Sequence, residues 1–273
     1  RAGSSKSVDG NDLRVVGGAP VVRYQQLAPG DYLPAGARLL HISSGPQEAA
    51  RAPMGDAWMG EIAGTLQALA GGVAQQSRSY PEALPVPPPA ADEPRHLRPE
   101  TLFDVLDAVA PHDAIYVKES TSTTSAFWQR MNLRHPGSYY FPAAGGLGFG
   151  LPAAVGVQLA QPQRRVVALI GDGSANYGIT ALWTAAQYRV PVVFIILKNG
   201  TYGALRWFAG VLKAEDAPGL DVPGLDFCAI AKGYGVKAVH TDTRASFEAA
   251  LRAALDANEP TLIEVPTVTI EPH

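Results

Sequence analysis

The chain has 273 residues, a formal net charge of -3, 47% hydrophobic residues and 17% charged residues. This length and composition indicate a globular chain with enough apolar material for one large or two ordinary domains, and they exclude a largely disordered protein. The small acidic charge gives no electrostatic reason to expect nucleic acid or an anionic membrane as a partner.

Membrane and secretion signals are also missing from the sequence. No apolar run reaches the ~18 residues needed to span a bilayer, and the segment from Arg1 to Asp12 is too polar to resemble a signal peptide. The single cysteine, Cys228, excludes an internal disulfide, and its helix-like surroundings favour a buried apolar role over a nucleophilic one. We therefore expect a cytoplasmic protein with no membrane partner.

The first region, residues 1–80, contains few regular elements. Leu13 to Pro20 predicts a short strand entering a Gly-rich turn, 37–42 predicts a second strand, and Met59 to Val73 predicts an amphipathic helix. Two or three strands with one clear helix bury too little surface to be stable alone. We expect part of an α/β domain, with the beginning of that domain absent.

Residues 81–100 form a Pro-rich segment. Seven prolines occur from Pro81 to Pro99, with Ala, Asp and Glu among the residues between them. Proline removes backbone donors and favours extended conformations, so this segment is predicted to be the linker between two domains.

Residues 101–273 alternate strands with helices. Helices are expected over 102–109, 125–131, 148–159, 179–188, 227–232 and 244–257, with another beginning near Tyr202, and strands over 114–118, 166–170, 192–197, 236–240 and 261–265. This alternation predicts an α/β domain with a parallel sheet and helices on both faces.

Two oxygen-bearing side chains stand where buried strands end. Asp172 lies in Gly171-Asp172-Gly173 directly after the strand 166–170, and Asn199 closely follows the strand 192–197. Open parallel sheets bind ligands at the carboxyl ends of their strands, and carboxylate, amide and backbone oxygens suit Mg²⁺ or Ca²⁺. With the Asp172 carboxylate expected to point outward, the pair predicts a divalent cation that holds a diphosphate.

A dinucleotide-binding oxidoreductase is a second interpretation. The run Gly146-Leu147-Gly148-Phe149-Gly150 loosely resembles a Gly-rich nucleotide turn, and Asp172 ends the next strand as a ribose-binding acid would. The glycine spacing is irregular, however, and this interpretation has no use for Asn199.

The Gly-Asp-Gly motif with Asn199 placed 27 residues after Asp172 resembles the thiamine diphosphate signature. The resemblance extends from about Leu13 to Val265 and is closest to the benzoylformate decarboxylases. It rests mainly on residues 119–124, 137–148 and 200–208. It implies the thiamine diphosphate-binding fold for residues 101–273, the pyrophosphate domain, preceded by part of a second, Rossmann-like α/β domain.

The resemblance implies roles for individual residues. Asp172, Asn199 and the backbone carbonyl of Thr201 would hold Mg²⁺, with Ca²⁺ as an alternative. Leu147 would support the bent conformation of the cofactor, and Gly145 would offer its carbonyl to the aminopyrimidine. The diphosphate would be contacted by Thr121, Ser122, Gly173, Ser174 and Tyr177.

The sequence departs from the family pattern at two positions. Lys198 stands where the common form has a second Asn before the metal ligand. Gln25 stands where benzoylformate decarboxylases carry a His thought to assist proton transfer, and Gln cannot act as an acid or base near neutral pH. The second departure leaves room for a different substrate or reaction.

An aromatic substrate is suggested by Phe141 and by Ala204, Leu205 and Phe208, which can share one face of a helix. The resemblance then implies non-oxidative decarboxylation of a phenylglyoxylate-like 2-keto acid to an aldehyde and CO₂. The activating Glu of this family comes from a separate pyrimidine-binding domain, and no such domain is found in the sequence. We expect this chain alone to be inactive.

Two other interpretations remain open with the same cofactor. One is a carboligase of the acetolactate synthase type, and the other is a non-catalytic, cofactor-binding fragment. The family places its active sites between subunits, so the resemblance also implies a homo-oligomer, most simply a homotetramer arranged as a dimer of dimers.

Overall fold

The computed structural model describes residues 12–19, 21, 33, 35–52, 54–75, 88, 91–214 and 216–269. The chain divides into two compact units, Arg1–Ala83 and Leu84–His273. Gln25 and residues 81–87, 89 and 90 of the Pro-rich segment lie outside the described residues, and the boundaries drawn at 80 and 100 stay predictions.

The first unit contains a parallel sheet of three strands in the order β1-β2-β3. Its elements are β1 (Leu13–Gly17), β2 (Arg38–Ser43), α1 (Pro46–Ala50), β3 (Asp56–Met59) and α2 (Ile62–Gly72). The helix predicted from Met59 begins later because Met59 ends β3. The Glu61 carboxylate caps α2 by accepting hydrogen bonds from the amides of Ala63 at 2.9 Å and Gly64 at 2.6 Å.

The second unit contains a six-stranded sheet in the order β5-β4-β6-β7-β9-β8, with every pairing parallel. The strands are β4 (Ile115–Glu119), β5 (Tyr139–Tyr140), β6 (Val166–Gly171), β7 (Val193–Lys198), β8 (Lys237–His240) and β9 (Thr261–Pro266). The predicted parallel α/β fold is confirmed. The two-residue strand β5 is too short to give a sequence signal.

Helices cover both faces of this sheet. They are α3 (Pro99–Val109), α4 (Thr124–Arg130), α5 (Gly150–Ala160), α6 (Asp172–Ala175), α7 (Ala181–Gln187), α8 (Gly203–Leu212), α9 (Phe227–Gly233) and α10 (Arg244–Asp256). Alternate residues of β6 belong to different cores: Leu169 packs with α3, α4 and α10, while Ile170 packs with α5, α7 and α9. Burial on both faces explains why these strands are continuous apolar runs.

The register of the parallel strands brings the carboxyl ends of β4, β6 and β7 next to one another. Gly171 pairs with Leu197 between β6 and β7, and Glu119 pairs with Ile170 between β4 and β6. The segments after Glu119, Gly171 and Lys198 therefore leave the sheet at one edge. None of the helices within the described ranges is long and apolar enough to cross a membrane.

The start of α10 offers a test of local stability. The Thr243 hydroxyl accepts a hydrogen bond from the Ser246 amide at 3.2 Å, and the Ser246 hydroxyl accepts one from the Thr243 amide at 3.1 Å. We expect Thr243→Ala to lower the free energy of unfolding by about 1 kcal/mol, because the first turn loses this reciprocal cap. Urea unfolding measures the change. Thr243→Ser retains the hydroxyl and is the control; equal losses in both variants would contradict a role for the cap.

Candidate functional site

Asp172 is the centre of the candidate site. Its side chain is only 2% exposed, and its two oxygens accept hydrogen bonds from the amides of Gly173 at 2.8 Å and Gly200 at 2.7 Å. The expectation that this carboxylate points outward is wrong, because it is buried and bonded to the amides of Gly173 and Gly200. Burial raises the pKa of Asp172 above its ordinary value, against the lowering effect of backbone hydrogen bonds.

The surroundings of Asp172 fit a bound cation. Within the described ranges no Lys, Arg or His forms an ion pair with this carboxylate. A buried carboxylate without a basic partner is unfavourable unless a counter-charge is supplied. A divalent ion with oxygen ligands would supply that charge.

The segment after β7 brings the other proposed metal ligands to Asp172. Gly200 donates its amide to Asp172 and has a φ of 72°, a conformation that favours glycine. The Asn199 Oδ1 accepts a hydrogen bond from the Thr201 amide at 3.1 Å, and the Thr201 carbonyl accepts one from the Gly203 amide at 3.0 Å. Each acceptor oxygen keeps a second lone pair, so the two groups remain able to coordinate a metal.

Two glycines of the site leave no space for a side chain. A Cβ on Gly173 would lie 2.7 Å from Cδ1 of Tyr202, and a Cβ on Gly203 would lie 3.1 Å from Cβ of Ser122 and 3.4 Å from Nδ2 of Asn199. The structure thus brings Ser122, from the turn after β4, beside Asn199, from the end of β7. Close backbone approach of this kind is what a phosphate-binding edge requires.

The segment that carries Leu147 lies against Tyr177. Gly148 has a φ of 97°, and a Cβ added there would lie 3.0 Å from both Cβ and the carbonyl oxygen of Tyr177. Leu147 itself is 39% exposed, so it is not an ordinary core residue. Gly145, with a φ of 78°, donates its amide to the Pro142 carbonyl at 2.8 Å. The exposed leucine remains available to support a bound molecule.

The remaining predicted residues surround this edge with varying exposure. Phe141 is 52% exposed and stacks on Tyr139 with 5.6 Å between ring centroids. On α8, Leu205 is 50% exposed, while Ala204 and Phe208 are partly buried. Thr121 is exposed and Ser174 is partly buried. The roles of these residues stay predictions, since they rest on the resemblance and on placement.

Glu119 has a structural role that the sequence analysis did not assign. Its carboxylate is 3% exposed and accepts hydrogen bonds from the amide of Gly148, at 2.6 Å, and from the amide of Gly150. These amides precede and begin α5. They are the groups that a dinucleotide pyrophosphate would need at a helix start. Their use by Glu119 argues against the oxidoreductase interpretation.

The Lys198 ammonium is held away from a ligand role. It donates to the Glu264 Oε1 at 3.2 Å and to the Leu225 carbonyl at 2.5 Å, and Glu264 also contacts His240 Nδ1 at 3.0 Å. The Lys198 departure therefore leaves Asn199 as the candidate ligand. Cys228 is partly buried on α9, and burial raises the pKa of its thiol, which disfavours a nucleophilic role.

The fold and the candidate site define a class of protein: a parallel α/β domain with a candidate cation and anion site at the carboxyl edge of its sheet. Residues 119–265 match the family described as thiamine pyrophosphate enzyme, C-terminal TPP binding domain. The chain belongs to this family, whose cofactor is thiamine diphosphate and whose usual partner metal is Mg²⁺.

Several relatives are similar over nearly the whole chain. A benzoylformate decarboxylase of Pseudomonas aeruginosa is 71% identical over 99% of this chain and 51% of its own length. A putative acetolactate synthase large subunit of Mycobacterium tuberculosis is 35% identical over 96% of this chain and 50% of its own length. The chain thus spans about half the length of these relatives.

A solved structure agrees with the fold. The thiamine diphosphate-dependent 4-hydroxybenzoylformate decarboxylase of Rhodococcus jostii has a TM-score of 0.94 and 56% identity, covering 99% of this chain and 51% of that one. The predicted thiamine diphosphate-binding fold is therefore confirmed.

Proposed function

We propose that this chain provides the metal and diphosphate site of a thiamine diphosphate-dependent carboxy-lyase. The reaction is the non-oxidative decarboxylation of a phenylglyoxylate-like 2-keto acid to an aldehyde and CO₂. The observation that carries the proposal is the buried Asp172 carboxylate, joined to the Asn199 segment at the carboxyl edge of the sheet. Support for an aromatic substrate comes from two relatives of this chain, which are named benzoylformate decarboxylase and 4-hydroxybenzoylformate decarboxylase.

Separate groups of residues have separate proposed roles in the reaction. Asp172, Asn199 and the Thr201 carbonyl would hold Mg²⁺, and nearby hydroxyls and amides would orient the diphosphate. Thiamine diphosphate supplies the electron-accepting ring for decarboxylation. Leu147 supports the bent cofactor, and the apolar side chains of Phe141 and Leu205 receive an aromatic ring while excluding water.

A proton donor is not among the groups that we assign. Gln25 has no titratable group near neutral pH, so acid–base work at that position would fall to another residue. We propose that the activating Glu comes from a pyrimidine-binding domain outside this chain, as the resemblance implies. A homo-oligomer, a dimer of dimers in the simplest case, would then place such domains beside this site.

A carboligase is the second candidate function. The putative acetolactate synthase of Mycobacterium tuberculosis matches almost the whole chain, at 35% identity. The same cofactor serves both reactions, and the metal site described here does not distinguish them.

Product analysis separates the two functions. The longest polypeptide that carries this chain is incubated with thiamine diphosphate, Mg²⁺ and either phenylglyoxylate or pyruvate. We expect benzaldehyde and CO₂ from phenylglyoxylate, with little turnover of pyruvate. Acetolactate from pyruvate as the main product would favour the carboligase. Absence of cofactor binding would overturn both proposals.

A further inference from the structure

Lys118 is a buried lysine at the carboxyl end of β4. Only 3% of it is exposed, and burial lowers the pKa of its ammonium to about 7. Lysine is rarely buried without a partner of opposite charge. Within the described part of the chain, no carboxylate forms an ion pair with Lys118. An apolar side chain of similar length would fill this volume at lower cost, so packing does not explain the lysine.

The hydrogen bonds of Lys118 join the two ends of one turn. Nζ donates to the Ser120 carbonyl at 2.6 Å and to the Thr124 hydroxyl at 2.8 Å. The Thr124 hydroxyl in turn donates to the Thr121 carbonyl at 2.8 Å. The turn in question is the 3₁₀ segment Thr121–Thr123, with Ser120 before it and Thr124 after it. The Ser120 carbonyl also accepts from the Thr123 amide at 3.1 Å and the Thr123 hydroxyl at 2.9 Å, so Lys118 is one of two buried residues that anchor the turn.

The direction of these bonds determines what the turn offers to a ligand. In a planar trans peptide, the carbonyl of one residue is antiparallel to the amide N–H of the next. The Ser120 carbonyl points toward the ammonium, so the Thr121 N–H points away from it. The Thr121 carbonyl accepts from Thr124, so the Ser122 N–H is likewise directed away from that hydroxyl. Neither N–H takes part in these bonds, so both are able to donate to an anion at the start of the turn.

The same turn faces the candidate metal site. Thr121 is exposed, and Ser122 lies close to Gly203, where an added Cβ would be 3.4 Å from both the Ser122 hydroxyl oxygen and Nδ2 of Asn199. The turn therefore has the buried Lys118 amino group on one side and the Asn199 segment on the other.

We propose that Lys118 is a positioning residue, which holds the Thr121–Thr123 turn in the conformation that receives the diphosphate of the cofactor. Lys118 acts through the turn and does not contact the cofactor. The inference rests on the proposed function, since it concerns the same diphosphate site. It assigns a task to a residue that the cofactor motif does not include.

The test measures cofactor affinity rather than turnover alone. In the longest polypeptide that carries this chain, Lys118→Met should raise the Kd of thiamine diphosphate, at saturating Mg²⁺, by about tenfold, because both bonds to the turn are lost. Thr124→Val should raise it by about threefold. Calorimetric titration gives these values. The KM for the 2-keto acid, measured at saturating cofactor, should stay within about twofold of wild type, since Lys118 lies behind the turn.

A double-mutant cycle distinguishes positioning from general destabilisation. Lys118→Met and Thr124→Val should be less than additive on the cofactor Kd, because the second change removes a bond that the first has already broken. Tyr116→Phe is the matched control, because Tyr116 is buried on the same face of β4, two residues earlier. It should leave the cofactor Kd unchanged.

Each result decides the matter. An unchanged Kd in Lys118→Met, additive effects in the cycle, or an equal change in Tyr116→Phe would overturn the positioning role. If Lys118→Met does not fold, an unchanged cofactor Kd in Thr124→Val is enough by itself to overturn the positioning role. Wild-type protein that does not bind thiamine diphosphate would instead overturn the proposed function, and this inference with it.

Discussion

Asp172→Ala is expected to abolish Mg²⁺-dependent binding of thiamine diphosphate, with a rise in Kd of more than about 100-fold. The substitution removes the only charged group among the three proposed metal ligands. It also removes the acceptor for the amides of Gly173 and Gly200, which join α6 to the segment after β7. Calorimetric titration of the cofactor, with Mg²⁺ and with EDTA, measures the loss.

Two control variants separate the loss of the metal ligand from other effects of the substitution. Asp216→Ala removes an exposed carboxylate of the same unit and should leave affinity unchanged. Asp172→Asn keeps the shape of the side chain but loses its charge and turns its NH₂ group toward the amide of Gly173 or Gly200, so it should be less stable and bind the metal and cofactor only weakly. Wild-type affinity in Asp172→Asn and Asp172→Ala would sink the assignment of the metal site.

The central strands of the second unit could be predicted because they are buried on both faces. Residues 166–170 and 192–197 are apolar at every position, and a strand buried on both faces leaves that signal in the sequence. Their ends then place Asp172 and Asn199 at one edge of a parallel sheet. The fold and the centre of the candidate site follow from this one pattern.

The orientation of side chains at that edge could not be predicted in the same way. Asp172 is expected to point outward, but its carboxylate is buried and accepts a hydrogen bond from the Gly200 amide. Sequence patterns locate an element within a few residues, whereas the direction of a side chain depends on the first turn after the strand. The missed strand β3 has a similar cause, since all of its residues are exposed and carry no apolar period.

Two buried charged residues carry structural information that the apolar patterns of the sequence do not contain. Lys118 and Glu119 are consecutive charged residues at the end of a strand that is otherwise apolar. A charge inside a buried strand needs a partner, so its presence indicates a polar network beyond the strand. The partners are the Ser120 carbonyl and the Thr124 hydroxyl for Lys118, and the amides of Gly148 and Gly150 for Glu119, which no spacing rule identifies.

Glu119→Gln is expected to lower the free energy of unfolding by about 3 kcal/mol, because one of two buried charge-assisted hydrogen bonds is lost and the other becomes a neutral one. The Glu119 carboxylate accepts from the amides of Gly148 and Gly150. A glutamine has one acceptor oxygen, so its NH₂ group must face one of those two donors. Urea unfolding with and without the substitution measures the loss.

The same substitution should also weaken function, because Glu119 fixes the segment that carries Gly145 and Leu147. If that segment moves, Leu147 no longer supports the bent cofactor, and we expect kcat to fall by about 100-fold at saturating cofactor. Glu248→Gln, which removes an exposed carboxylate paired with Arg252 on α10, should change stability by less than about 0.5 kcal/mol and leave kcat intact. A Glu119→Gln protein with wild-type stability and kcat would show that the Gly148 and Gly150 amides are held by other contacts. Loss of stability with an unchanged kcat would instead separate the anchoring of α5 from the placement of Leu147.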